Sequence, residues 1–489
     1  MSTEQSGSRF RQPLKQWIKA SVWSVIYILF VAWVGNFWWL LLLPFIVDVF
    51  ITKFIPWTWW KKSKNKAFVA VMGWVDAIVF ALVAVYFINT YLFQNYQIPT
   101  SSLEKTLLVG DFLFVSKASY GPRVPNTPLS FPLVQHTFPI INTKSYIEKP
   151  QWEYKRLKGF DNIERNDIVV FNFPAGDTVA TNRQAEDYET MCYTAGLNQI
   201  KINGLEPELK KLDTYSARSM CLSIGQQVIK NNPGEYGEVI TRPVDRRENY
   251  VKRCVGLPGD YLQVKDRELF INGKMQDRPA GVQHLCYIET TEQLSNKIFD
   301  KLQLSNENTA NSLKGQTETG NFIYVLALTT SDQDYLRALP AVKVVREENV
   351  NTLYNFESTT YPAGYTNKWT VDNYGPIWIP KKGKSLKLTI GILPIYEKAI
   401  RTYEGNKLEV KDGKIFINDT AADSYTFKMD YYWMMGDNRH NSADSRSWGF
   451  VPEDHVVGRP VLVWLSLNKD KSLFGGKIRF NRFFKDATK

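Results

Sequence analysis

The stretch AFVAVMGWVDAIVFALVAVYFINTYLF (67–93) holds one charged residue, Asp76, in 27 positions. At about 1.5 Å per residue, a helix of this length crosses a ~30 Å hydrocarbon layer with some tilt. Trp74, Tyr86 and Tyr91 suit the water–lipid boundaries. Lys61, Lys62, Lys64 and Lys66 stand just before it. Bases collect on the cytoplasmic flank of a span, so its N-terminus is expected in the cytoplasm and everything after about residue 95 outside. A buried core helix is the alternative, but the apolar run is too long and its flank too basic.

Upstream, two apolar runs, 21–34 and 37–51, flank the turn signal Gly35-Asn36. Each is shorter than the ~20 residues of a full span. A shallow hairpin is expected, with one ordinary span as its rival. No cleavage site is evident, so this region is read as a retained anchor.

The formal net charge is +11 over 489 residues. Residues 1–66 carry nine bases against Glu4 and Asp48, so +7 of it sits around the first hydrophobic region. The part after residue 98 keeps an ordinary balance. A nucleic-acid partner is therefore not expected, whereas a lipid bilayer is. Cys192, Cys221, Cys254 and Cys286 show no CxxC spacing, and the four histidines are scattered, so no metal is expected. An extracytoplasmic domain permits disulfides. Cys192 and Cys221, in one segment, are the expected pair.

From Tyr96 onward the pattern is mainly β. DFLFVSK (111–117), DIVVFNF (167–173), YVKRCVGL (250–257) and RPVLVWLS (459–466) read as strands punctuated by Gly, Pro and Asn. LQVKDRELFING (262–273) echoes LEVKDGKIFIND (408–419), and both read as hairpins. The expected fold is mainly β: N-terminal transmembrane helices, then an antiparallel β ectodomain with a small α/β insertion subdomain. The expected organisation is a basic region over 1–66, a span over 67–95, and a β core over 96–173, 248–279 and 401–470. Insertions occupy 174–247, with a helix around 207–230, and 280–400. Within the second, 321–345 reads strand, helix, strand, with Thr330-x-x-Gln333 as a capping box. A basic aromatic tail, 471–489, closes the chain.

Three segments carry chemistry. In QIPTSSLEKTLLVGDFLFVSK (97–117), a proline and small hydroxyl residues form a turn able to present a nucleophile, which needs a base to activate it. In ENYVKRCVGLPGD (248–260), Lys252 shares a strand face with Tyr250 and Cys254. Desolvation there lowers an amine's pKa, and a neutral amine is a general base. A snorkelling edge residue is the plainer reading of Lys252 or Arg253. In MMGDNRHNSADSRSWGFVPEDHVVGR (434–459), dense polar residues bordered by Met and aromatics suit a packed polar network, with Asp444 and Arg446 as an ion pair.

The order, wording and spacing of these segments after a span resemble bacterial type I signal peptidases, membrane-bound Ser/Lys endopeptidases. The resemblance covers the second span, 97–132, 163–173, 248–274 and 431–466. It implies an ectodomain of signal-peptidase type. It implies a nucleophile at Ser102, with Ser101 as the neighbouring register, and a general base at Lys252. It implies an oxyanion hole from the Thr100 hydroxyl and the Ser102 N–H. Ser442 matches the serine that hydrogen-bonds the lysine. Gly436, Asp437, Asn438, Arg439, Asp444, Ser445 and Arg446 match the supporting box. Gln97, Ile98 and Pro99 would carry substrate. The chain departs from the family pattern at Leu103, Lys105 and His440. The implied partners are secretory preproteins with small residues at −1 and −3, with no cofactor. The implied location is the bacterial inner membrane, with the catalytic domain on the periplasmic side.

Overall fold

The structure, a computed structural model, describes all residues except 1–11, 36, 175, 177, 305–308, 311, 349–359, 367 and 489. Helix α1 (Leu14–Val34) has 21 residues and is long and apolar enough to cross a membrane. This differs from the two short runs expected. The helix starts seven positions earlier, taking in Lys15 and Lys19, whose long stems can lie along an apolar helix while their charges stay in water. A shorter apolar helical stretch, Phe37–Thr52, follows, and the Tyr27 hydroxyl donates to Trp39 O at 2.5 Å. The pair is thus a hairpin with unequal arms; Asn36 of the turn lies outside the described residues. The buried Asp48 closes its far end by accepting from Phe54 N (2.6 Å), Ile55 N (3.1 Å) and Trp57 Nε1 (2.9 Å).

Helix α2 (Lys66–Leu92) is also long and apolar enough to cross. Asn65 caps it by accepting from Ala67 N and Phe68 N. Val71, Trp74, Ile78, Phe80 and Val83 are each more than half exposed. A helix that exposes apolar side chains all round is built for lipid, not water.

The chain leaves α2 directly into a mostly antiparallel sheet, as the alternating patterns predict. Its six longer strands are β1 (Phe93–Gln97), β2 (Asp111–Ser116), β3 (Ile168–Asn172), β4 (Asn249–Gly256), β5 (Tyr431–Met435) and β6 (Val456–Ser466), in spatial order β1-β2-β6-β3-β4-β5, and the two-residue strands Val451–Pro452 and Lys485–Asp486 pair with β5 and β6. β3 is buried at every position because a core packs on each face. Leu103, Leu107, Leu113, Ile168 and Val170 belong to one core; Phe171, Cys254, Met434 and Trp448 belong to the other. β1 ends the sheet, so one edge of it stays unpaired among the described strands.

Both echoed segments are hairpins, Tyr261–Lys265 with Glu268–Ile271 and Leu408–Lys411 with Lys414–Ile417. Their turn residues, Asp266 (φ 46°) with Arg267 (φ 74°) and Asp412 (φ 47°) with Gly413 (φ 72°), are left-handed in pairs. That is the turn whose twist matches flanking strands.

The first insertion contains two packed helices, α3 (Tyr188–Ile202) and α4 (Thr214–Asn231). The sequence reading placed only the second. The expected Cys192–Cys221 bridge is not formed: all four cysteines are free and buried. A Cβ on Gly225 would lie 1.7 Å from Cys192 O, and one on Gly196 would lie 1.8 Å from Cys221 O. Each cysteine therefore faces a glycine of the other helix rather than the other cysteine. In the second insertion, strands Leu313–Gln316, Phe322–Leu328, His284–Thr290 and Val342–Glu347 form a sheet under helix Thr330–Arg337. The capping box there uses Thr329 and Asp332, one residue before the expected pair. Tyr374–Trp378 then returns to pair with the Tyr261–Lys265 strand.

Candidate active site

The chain turns sharply after β1. Ile98 N donates to Asp111 O (2.8 Å) and Gly110 N donates to Ile98 O (2.9 Å), which pins the approach to the turn. A single 3₁₀ turn, Ser101–Leu103, follows. Leu103 and Leu107 plug into the core at 1% and 0% exposure, so the turn cannot swing away.

Within this turn the two serines part company. Ser102 Oγ accepts from Lys252 Nζ at 2.5 Å. Ser101 Oγ accepts from Asn441 Nδ2 at 3.1 Å. Lys252 lies at the centre of the sheet, paired with Val169 of β3. Its side chain is 3% exposed and its Nζ sits 5.8 Å from the Tyr250 ring centre. Burial lowers its pKa from the ordinary 10.5 to about 8, although Asp444 and Asp437 pull upward. Such an amine is neutral in a large fraction of molecules near pH 8, and it can take a proton from the hydroxyl it touches.

The polar loop after β5 buttresses this pair. Asn438 N donates to Ser102 O at 3.1 Å, fixing that residue's carbonyl. Gly436 permits that approach: a Cβ there would meet Ser442 Oγ at 2.2 Å and Ser102 O at 2.7 Å. Asp437 takes both nitrogens of Arg253 at 2.7 Å each and the Thr106 hydroxyl at 2.6 Å. Asp444 accepts from Arg446 Nε (2.9 Å) and Nη2 (2.7 Å) and from Gly436 N (3.1 Å). The Arg446 guanidinium helps hold the Asp444 carboxyl below its usual range despite burial. Arg446 also donates to Arg439 O at 2.6 Å, and the Ser445 hydroxyl accepts from Met434 N at 2.9 Å. Charge-assisted, two-pronged pairs of this sort hold geometry firmly when every member is matched.

Most of the expected residues converge on one place. Thr100, Gln97 and Pro99 are exposed along the open approach to Ser102, with Ile98 buried between them. Ser442 differs from expectation. Its hydroxyl donates to Ala443 O at 3.4 Å and not to Lys252, although it lies against Gly436 beside the site. His440 takes no part in a triad. Its Nδ1 accepts from Leu285 N (3.0 Å), which puts the proton on Nε2 toward Asp372 Oδ1 (2.6 Å). Arg253, Thr106 and Gln283 were not foreseen as parts of the site. Gln283 N donates to Asp437 O (2.8 Å) and its carbonyl accepts from Arg439 N (3.0 Å), stitching the second insertion to the polar loop. The one signal for Arg253 was a second base beside Lys252 in an apolar strand, which demands a buried partner.

Comparison with known proteins points the same way. The profile of the family described as "Signal peptidase, peptidase S26" matches residues 71–321 and 387–465. The chain is 23% identical over 424 residues to "Signal peptidase I" of Buchnera aphidicola subsp. Acyrthosiphon pisum, covering 86% of this chain and 83% of that protein. It is 22% identical over 428 residues to "Signal peptidase I" of Haemophilus influenzae, covering 87% and 78%. A shorter match, 35% over 80 residues, covers 14% of this chain and 24% of "Thylakoidal processing peptidase 1, chloroplastic" of Arabidopsis thaliana.

Proposed function

Because the chain belongs to the signal peptidase family, peptidase S26, we propose that it cleaves signal peptides from exported preproteins with Ser102 as nucleophile and Lys252 as general base. The observation that carries this reading is the 2.5 Å contact between Lys252 Nζ and Ser102 Oγ in a buried setting. The cleavage region of a preprotein lies extended beside Gln97–Thr100 and adds main-chain hydrogen bonds along the open approach. Small side chains at −1 and −3 fit there and larger ones clash. Neutral Lys252 accepts the Ser102 proton as Oγ attacks the scissile carbonyl. The Ser102 N–H and the Thr100 hydroxyl meet the developing oxyanion; one such donor is typically worth about 3–4 kcal/mol. Lys252 then protonates the leaving amine, which departs as the mature protein's new N-terminus. A water deprotonated by Lys252 hydrolyses the acyl-enzyme and releases the signal peptide. No cofactor enters these steps.

The two apolar helices tether enzyme and substrate to one bilayer, which raises their effective concentration. The proposed place is the bacterial inner membrane, with the sheet on the periplasmic side.

The test is processing of a purified preprotein in detergent. Ser102→Ala and Lys252→Ala should each lower kcat on the order of 10⁴-fold or more, and Ser101→Ala should stay within about tenfold of wild type, since its hydroxyl meets Asn441. Normal cleavage by Ser102→Ala would sink the assignment.

A further inference from the structure

A cavity of about 700 Å³ lies where α2 gives way to the sheet, and its lining includes neither Ser102 nor Lys252. Its walls include Val85 and Ile88 of α2, Phe131 and Leu133 of the following loop, and Lys117, just past β2. That loop is fastened to α2, since the Tyr86 hydroxyl donates to Pro128 O at 2.6 Å. The apolar side of the cavity is therefore continuous with a membrane-crossing helix, at the level where lipid headgroups lie.

The polar side of the cavity is unbalanced. Arg123 is engaged with Asp454 O and with Asn172 Oδ1 (2.7 Å). Arg246 donates to the Thr127 hydroxyl (2.5 Å) and carbonyl (3.1 Å). Lys117 Nζ makes no hydrogen bond or ion pair among the described residues. Burial pushes its amine down to about 7, Arg123 and Arg246 push the same way, and the Asp245 carboxylate opposes them. The lining sets three bases, Lys117, Arg123 and Arg246, against one acid, Asp245, and a bound anion offsets that excess of positive charge. Asp245, in the same wall, holds Thr127 with one carboxylate oxygen (2.9 and 3.0 Å), while its other oxygen is buried without a partner. Asp245 Oδ2 also pairs with Arg246 at 3.7 Å, so the wall offers an excess of bases and one carboxylate oxygen without a donor.

We infer that this cavity is a binding site for a membrane phospholipid, with the phosphate on Lys117, a headgroup amine or hydroxyl on Asp245, and the acyl part along Val85 and Ile88. A headgroup lacking a donor, such as choline, leaves Asp245 unmatched and binds more weakly. The inference needs only membrane anchorage and is independent of the peptidase reading.

The test uses the full chain in detergent micelles doped with phosphatidylethanolamine, phosphatidylglycerol or phosphatidylcholine, with inorganic phosphate alone as a further arm. Acylation of Lys117 by an amine-reactive ester at pH 8 is read by peptide mass spectrometry. The first two lipids should slow it at least tenfold, with little effect from phosphatidylcholine or inorganic phosphate. Lipid retained by Lys117→Gln, read by native mass spectrometry, should fall at least tenfold. Equal protection by all three lipids, protection by inorganic phosphate alone, or protection by a signal peptide and not by lipid would each overturn the assignment. So would unchanged retention in Lys117→Gln.

Discussion

At the scale of single residues, the site depends on one amine losing its water. Lys252 titrates near 8 because it is buried, while Asp444 and Asp437 limit the fall. If it acts as the base, log kcat/KM should climb with unit slope below about pH 8 and level off above it. A flat profile from pH 6 to 9 would contradict that role. The same shift has a stability sign. The unfolded chain holds this proton up to 10.5 and the folded chain only to about 8. Between those values the unfolded state binds more protons, so this group's contribution to stability rises with pH across the window. Arg253 makes a second residue-scale prediction. It is 2% exposed and matched to the fully buried Asp437. Arg253→Met strands that carboxylate and should cost about 3–5 kcal/mol in a denaturation midpoint series. Arg253→Met with Asp437→Leu should recover much of the loss, because an apolar pair of similar volume leaves no buried charge.

At the scale of elements, the Ser101–Leu103 turn and the polar loop behave as one unit joined at Gly436. Gly436→Ala places a methyl against Ser102 O, a backbone atom that cannot step aside cheaply. The turn should shift by several tenths of an ångström or more, and kcat should fall about 10²-fold with a modest change in thermal midpoint. An unchanged kcat would show that the loop does not set the position of Ser102. The strands and hairpins were legible because apolar alternation and left-handed turn residues are local signals. The segments that bring Ser102 and Lys252 into contact were legible because they are short and have distinctive neighbours. What was hidden depended on distant partners. Nothing near His440 announces Asp372, and nothing near Asp437 announces Gln283. Helix α3 escaped notice because its packing face uses Cys192 and Gly196, small residues chosen for close backbone approach, and not the large apolar residues that make a period visible. The same closeness misdirected the cysteine pairing.

At the scale of the whole molecule, charge and hydrophobicity together fix which way the chain should lie. Eight bases against two acids precede α2, Lys66 opens it, and the sheet begins within a residue of its end. Moving that cluster across a bilayer is opposed far more than moving the sheet, whose charges are nearly balanced and whose segment is long enough to be exported regardless of sign. The consequence is testable with single thiols, because all four native cysteines are buried and should give little background. Phe160 is 89% exposed on the sheet side, and Ser63 is exposed among the lysines before α2. In spheroplasts, a membrane-impermeant maleimide should label Phe160→Cys and spare Ser63→Cys, and lysis should make both react. Labelling of Ser63→Cys from outside would put the Ser102–Lys252 pair in the cytoplasm, on the side where an exported preprotein has not yet crossed. The peptidase proposal would then lose its substrate even with the dyad intact, which makes orientation as strict a requirement of the function as the 2.5 Å contact itself.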